Sequence, residues 1–111
     1  MATITYTVTV ASGTNQYGTG NKFYINGAVS PDLNLVEGNT YIFDQSDSTN
    51  AAGGGHILAF STSANNSPAA PYTTGVTTTG TPGSSGANTT ITVATYAPTL
   101  YYYCTAHAGM G

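Results

Sequence analysis

Charge is what this sequence has least of. Charged side chains make up 5% of its 111 residues, where a globular domain ordinarily carries roughly a quarter. Lys22 is the one Lys or Arg, against Asp32, Glu37, Asp44 and Asp47, for a formal net charge of −3. A single cation cannot neutralise a run of phosphates, so nucleic acid is excluded as a partner class. Cysteine is nearly as scarce: Cys104 stands alone, which excludes an internal disulfide framework and leaves the redox compartment unreadable from pairing. No apolar run approaches the roughly 18 residues of a membrane-spanning helix. No basic-then-apolar leader precedes the first strand pattern. The chain therefore reads as a soluble product without an address, kept in a cytosol or assembled there into a larger particle. A periplasmic or extracellular setting follows if a leader has been removed. Threonine, by contrast, supplies about a fifth of the residues, so solubility must come from hydroxyls and amides rather than from charge.

The length is that of one domain, residues 1–111, large enough to bury a core of its own. Thr3 to Val10 alternates strictly: Ile4, Tyr6, Val8 and Val10 share one face and Thr3, Thr5, Thr7 and Thr9 the other. This is the period of a half-buried strand with a wet threonine face. Ala11 to Asn21, rich in Gly, Asn, Ser and Thr, reads as a loop. Lys22 to Ile25 is a short strand ending at Asn26-Gly27, the dipeptide suited to a two-residue hairpin. Pro31 limits the return strand to an edge or a start position. Leu33 and Leu35, a turn at Glu37-Gly38-Asn39, and Thr40 to Asp44 predict a second hairpin. Ser46 to Gly55 reads as a loop delivering the chain to a strand opened by His56. Ser61 to Asn88 is a long irregular stretch with a short strand or turn around Tyr72 to Thr78. Thr89 to Val93 and Thr99 to Cys104 are strands by β-branched and aromatic content. No segment has helical periodicity, and the fold class that follows is an all-β sandwich.

The soft metal ligands are concentrated at one end of the chain. Tyr101-Tyr102-Tyr103-Cys104-Thr105-Ala106-His107-Ala108-Gly109-Met110-Gly111 carries a thiolate, an imidazole and a thioether at offsets of three, and His56 is the remaining histidine. Each alone has an ordinary explanation: Cys104 as a small buried hydrophobe, His107 as an exposed side chain, His56 as a strand cap. Cys104, His107 and Met110 as a triplet in a glycine-containing loop point to a metal, and His56 joins them. Two imidazoles and a thiolate with a weak axial thioether suit copper. Zinc takes Cys and two His but finds a thioether a poor fourth ligand. Alternation places Cys104 with Tyr102 and Leu100, and His56 with Leu58 and Phe60, although Ile57 with Ala59 and Tyr101 with Tyr103 are apolar enough to be the buried sets instead. A Cys104–His107 nucleophilic pair is the enzyme alternative, but it lacks an orienting third group and an anion-binding helix terminus. The chain reads as a binding module, not an enzyme.

At these residues the sequence resembles the cupredoxins, small blue-copper proteins of the plastocyanin and amicyanin type. The resemblance rests on Leu33-x-Leu35-x-x-Gly38-x-Thr40-Tyr41-x-Phe43, on His56 at a strand start, and on Tyr103-Cys104-Thr105-Ala106-His107-Ala108-Gly109-Met110. It implies a Greek-key β-sandwich with a mononuclear type 1 copper at one end. His56, Cys104 and His107 would be equatorial ligands and Met110 the axial one, with Cu(II)/Cu(I) electron transfer to a redox partner protein. Ile57 stands where the family often has a hydrogen-bonding asparagine. With Gly111 the last residue, Met110 is expected to be held from one side and to fray. The composition, with Tyr72-Thr73-Thr74-Gly75-Val76 and Thr81-Pro82-Gly83, also resembles cupredoxin-like proteins encoded by marine bacteriophages. That likeness implies an alternative role as a virion or extracellular decoration component, with particle neighbours across the Thr3 to Thr9 face and copper structural or absent.

Overall fold

The structure is a computed structural model. It describes residues 2–63, 71–107 and 109–111, with the backbone alone for 52–54. The expected alternation shapes its first strand: in β1, Thr3–Asn15, Val8 and Val10 are buried while Thr3, Thr5 and Thr7 face water. The remaining strands are β2 Gly18–Ile25, β3 Ala28–Val29, β4 Thr40–Asp44, β5 Leu58–Ser61, β6 Pro71–Tyr72, β7 Val76–Thr79, β8 Asn88–Thr92 and β9 Tyr101–Cys104. They form a six-stranded sheet in the order β3-β2-β1-β4-β8-β7 and a three-stranded sheet in the order β6-β5-β9. The protein is an all-β sandwich. β1 lies parallel to β4 through Thr3↔Thr40 to Thr7↔Asp44, and the other pairings are antiparallel.

The core lies between the sheets. Phe43 of β4 meets Phe60 of β5 edge to face with ring centroids 5.5 Å apart, and Tyr6 tilts against Phe43 at 5.2 Å. Val8, Phe23, Ile25, Leu58 and Ile91 close around them. A buried hydroxyl ties the sheets as well: Thr89 Oγ1 donates to the Leu58 carbonyl at 2.7 Å. Asn26 and Gly27, both at positive φ (51° and 86°), make the expected two-residue turn between β2 and β3.

Three expectations change. Ala11 to Asn21 is not a loop: the β1–β2 ladder runs on through Ala11↔Lys22 to Asn15↔Gly18. Composition misleads here because the ladder bonds are backbone bonds, indifferent to small polar side chains. The Thr14 and Thr19 hydroxyls pair across it at 2.8 Å. The second hairpin does not form. Residues 31–36 make no strand, because Pro31 brings no N–H and Val36 N donates to the Tyr41 hydroxyl instead of to a ladder. The turn at Glu37-Gly38-Asn39 is present, and β4 pairs with β1 and β8. Finally, Ser48–Gly54 within the expected loop winds into a 3-10 helix. The short strand expected around Tyr72 to Thr78 resolves into β6 and β7, and the part of the long irregular stretch at 64–70 lies outside the described residues.

Candidate metal centre

Cys104 ends β9 directly opposite Leu58 on β5. The ambiguity over which faces are buried is resolved by the second sheet. Leu58, Phe60 and Cys104 are in the core, whereas Ile57 and Tyr101 are 37% and 38% exposed. His56 therefore turns inward two residues before β5 begins, and it is buried. Past Cys104 the ladder gains one more bond, Thr105 N to Ile57 O at 3.0 Å, before the chain bends and brings His107 back over the strand end.

The three side chains converge. Cys104 Sγ lies 3.5 Å from His56 Nδ1 and 3.8 Å from His107 Nδ1, and the two Nδ1 atoms are 3.0 Å apart. Among the described residues this is a group of metal-ligating atoms all within 4.8 Å of one another, two of its members buried and His107 exposed. A triangle with those sides has its centre about 2.0 Å from every corner, against roughly 2.0–2.1 Å for a nitrogen and 2.3 Å for a thiolate bound to a metal such as zinc. Met110, three residues beyond His107, is buried in the same core cluster as Cys104 and is 1% exposed.

Burial pushes the Cys104 thiol above its ordinary pKa, and hydrogen bonds from the backbone of Ala106, His107 and Ile57 pull the other way without overcoming it. Those backbone groups stand around the sulfur where the sequence offers no asparagine side chain at Ile57. The metal-free centre accordingly holds a protonated thiol beside two imidazoles.

His56 is fixed by residues that sequence reasoning did not single out. Its N–H donates to Asn50 O at 2.9 Å, and its carbonyl accepts from Gln45 Nε2. Gln45 Oε1 in turn accepts from Leu58 N at 3.0 Å, and Gln45 Nε2 also reaches Asn50 Oδ1 at 3.1 Å. Asn50 Nδ2 donates to Val8 O at 2.8 Å, anchoring the 3-10 helix to β1. Gln45 and Asn50 are both fully buried, and every polar atom of the clamp works on backbone or on the other amide. A signal for Gln45 was there to be read. It continues the inward series Tyr41, Phe43, Gln45, and an amide on a core face must find partners.

The expectation that Met110 frays does not hold. Phe23 N donates to Met110 O at 2.9 Å, Ser30 Oγ donates to the same carbonyl at 3.1 Å, and Lys22 Nζ and Asn15 Nδ2 reach Gly109 O at 2.7 and 2.8 Å. Long-range bonds from the β1–β2 hairpin and from Ser30 hold this segment in place.

Comparison with known proteins yields no matching family model, no matching curated protein and no matching solved structure. The functional reading therefore rests on the centre itself. Among the described residues no helix is long and apolar enough to cross a membrane.

Proposed function

We propose that this protein binds copper in a mononuclear type 1 site and serves as a one-electron carrier of cupredoxin type. The observation that carries the reading is the triangle of His56 Nδ1, His107 Nδ1 and Cys104 Sγ, which brings His56 to the other two from 48 and 51 positions away and is sized for one ion. Two imidazoles and a thiolate in a trigonal array with a distant thioether are the donor set of blue copper. Met110, held in the core beside the loop, is the axial donor in this reading. Zinc would accept the first three donors, but it favours a fourth stronger than a thioether. The Cupredoxin resemblance and its Greek-key connectivity belong to the same proposal.

Copper would supply the Cu(II)/Cu(I) couple; the protein supplies rigidity and access. The Gln45–Asn50 clamp and the β5–β9 register hold His56 and Cys104 where they are before any ion arrives, which limits reorganisation between oxidation states. His107 is the exposed member of the group and so marks the side on which an electron partner reaches the centre.

The test is optical. Cu(II) added to the metal-free protein should produce an intense visible thiolate-to-copper band, and Cys104→Ser should abolish it. An unchanged band in Cys104→Ser, or a parent that stays colourless with stoichiometric Cu(II), rejects the assignment.

A further inference from the structure

The chain's only Lys or Arg is inside the protein. Lys22, on β2, is 4% exposed, and its ammonium donates to Gly109 O at 2.7 Å. Among the described residues no carboxylate pairs with it. Burying an ammonium against a neutral carbonyl is costly, and an apolar chain of the same length would fill the space without that cost. What a charged donor adds is a short, directional bond, stronger than a neutral one. Here that bond falls on the residue before Met110.

The other donors complete a cradle for three consecutive carbonyls. Gly109 O accepts from Lys22 Nζ and Asn15 Nδ2, Met110 O from Phe23 N and Ser30 Oγ, and Gly111 O from Asn15 Nδ2 at 3.2 Å. Asn15 and Lys22 sit on the β1–β2 hairpin, with Ser30 just past β3. Asn15 Nδ2 also donates to Ser30 Oγ at 3.0 Å, so the cradle is internally braced.

We propose that Lys22 is the positioning residue for Met110: its buried ammonium, seconded by Asn15 and Ser30, fixes the backbone on both sides of the residue that would supply the axial thioether. The inference rests on the copper reading given above. An axial thioether bonds weakly, so its separation from copper is set by the protein and not by the bond itself. Whatever holds the backbone on both sides of Met110 then sets how strongly the thioether is felt, and with it the reduction potential. A group 22 residues into the chain controls the last ligand of the site.

Two measurements on the full chain test this. In the metal-free protein the Phe23 amide, bonded to Met110 O, reports docking of the segment. Lys22→Met should speed its hydrogen exchange roughly ten- to hundredfold while amides of β4 and β8 keep their protection. In the copper-loaded protein Lys22→Met should shift the reduction potential, and in a Met110→Leu background the same substitution should leave it unmoved, since coupled residues are non-additive. Asn15→Ala, which removes a neutral donor from the same carbonyl, should act in the same direction with a smaller effect, and it carries both measurements if Lys22→Met does not fold. Unchanged Phe23 exchange overturns the inference. So does a potential shift of equal size with and without Met110, which would assign Lys22 a charge effect in place of positioning. A parent with no thiolate-to-copper band removes the axial role along with the copper reading, whereas a parent with the band and an unresponsive potential defeats the Lys22 inference alone.

Discussion

The Nδ1 atoms of His56 and His107 lie 3.0 Å apart although 51 residues separate them. Two imidazole nitrogens held that close are at hydrogen-bonding distance, and the Cys104 sulfur completes the triangle. A single cation at the centre of the triangle would engage all three at once. The arrangement is prepaid by the Gln45 clamp on one side and the β5–β9 register on the other.

Removing that clamp should therefore cost both stability and affinity. Gln45→Ala leaves Leu58 N and His56 O without their partner in the core, each worth about 1–3 kcal/mol when orphaned. We expect thermal unfolding at a clearly lower temperature. Copper affinity should fall about ten- to hundredfold, as for lost outer-sphere support. A competition titration against a chelator reads the second; parent-like affinity with lowered stability would confine Gln45 to the fold.

The two ends of the ligand loop should behave differently. His107→Ala opens an equatorial position and should alter the copper spectrum substantially. Met110→Leu conserves volume in a well-packed site and should cost less than about 1.5 kcal/mol of stability, retaining colour while the reduction potential shifts. Loss of copper in Met110→Leu together with a parent-like spectrum in His107→Ala would reverse the assigned roles.

Proton release follows from the raised Cys104 thiol. In the proposed site copper would bind the thiolate, so uptake below the thiol's pKa would expel a proton, and apparent affinity should rise about tenfold per pH unit for each proton released. The sign for folding of the metal-free protein is opposite. A group whose folded pKa is raised favours the native state while protonated. That contribution is whole below the ordinary thiol range near about 8.5 and is lost as pH climbs through it toward the folded value. Chemical denaturation of the metal-free chain across this range should show declining stability, and Cys104→Ser should flatten the part that Cys104 contributes.

Gly83 gives a test remote from the ligands. Its φ of +90° excludes ordinary side chains, and a Cβ there would lie 2.4 Å from Ala51 Cβ on the 3-10 helix, while its N–H donates to Gln45 O at 2.8 Å. Gly83→Ala should destabilise by at least about 1–3 kcal/mol from backbone conformation alone and should weaken copper binding through Gln45 and Asn50. Denaturant midpoints together with the same chelator titration separate the two effects; a substitution without effect on either would mean that the 3-10 helix does not transmit to His56.

How much of this was legible beforehand depends on the range of the interaction. The alternation of β1, the Asn26-Gly27 turn and the Cys104-x-x-His107 spacing are local, because period and loop length act between near neighbours, and these features appear in the structure as read. The β1–β2 extension through Ala11 to Asn21 was hidden because a backbone ladder leaves no mark on composition. Leu33 and Leu35 alternate without forming a hairpin, because alternation does not show which partner strand is available. Two facts central to the site were beyond local reading altogether. Packing of β5 against β9 chose Leu58, Phe60 and Cys104 over their equally apolar neighbours and so turned His56 toward the sulfur. The β1–β2 hairpin, through Lys22 and Asn15, anchored Met110 where chain position alone predicted fraying. The sequence by itself determined the donor types of the candidate centre and the strand periods. Tertiary structure decided which side chains meet, since burial and hydrogen-bond pairing between distant segments exist only once both sheets have closed on the core.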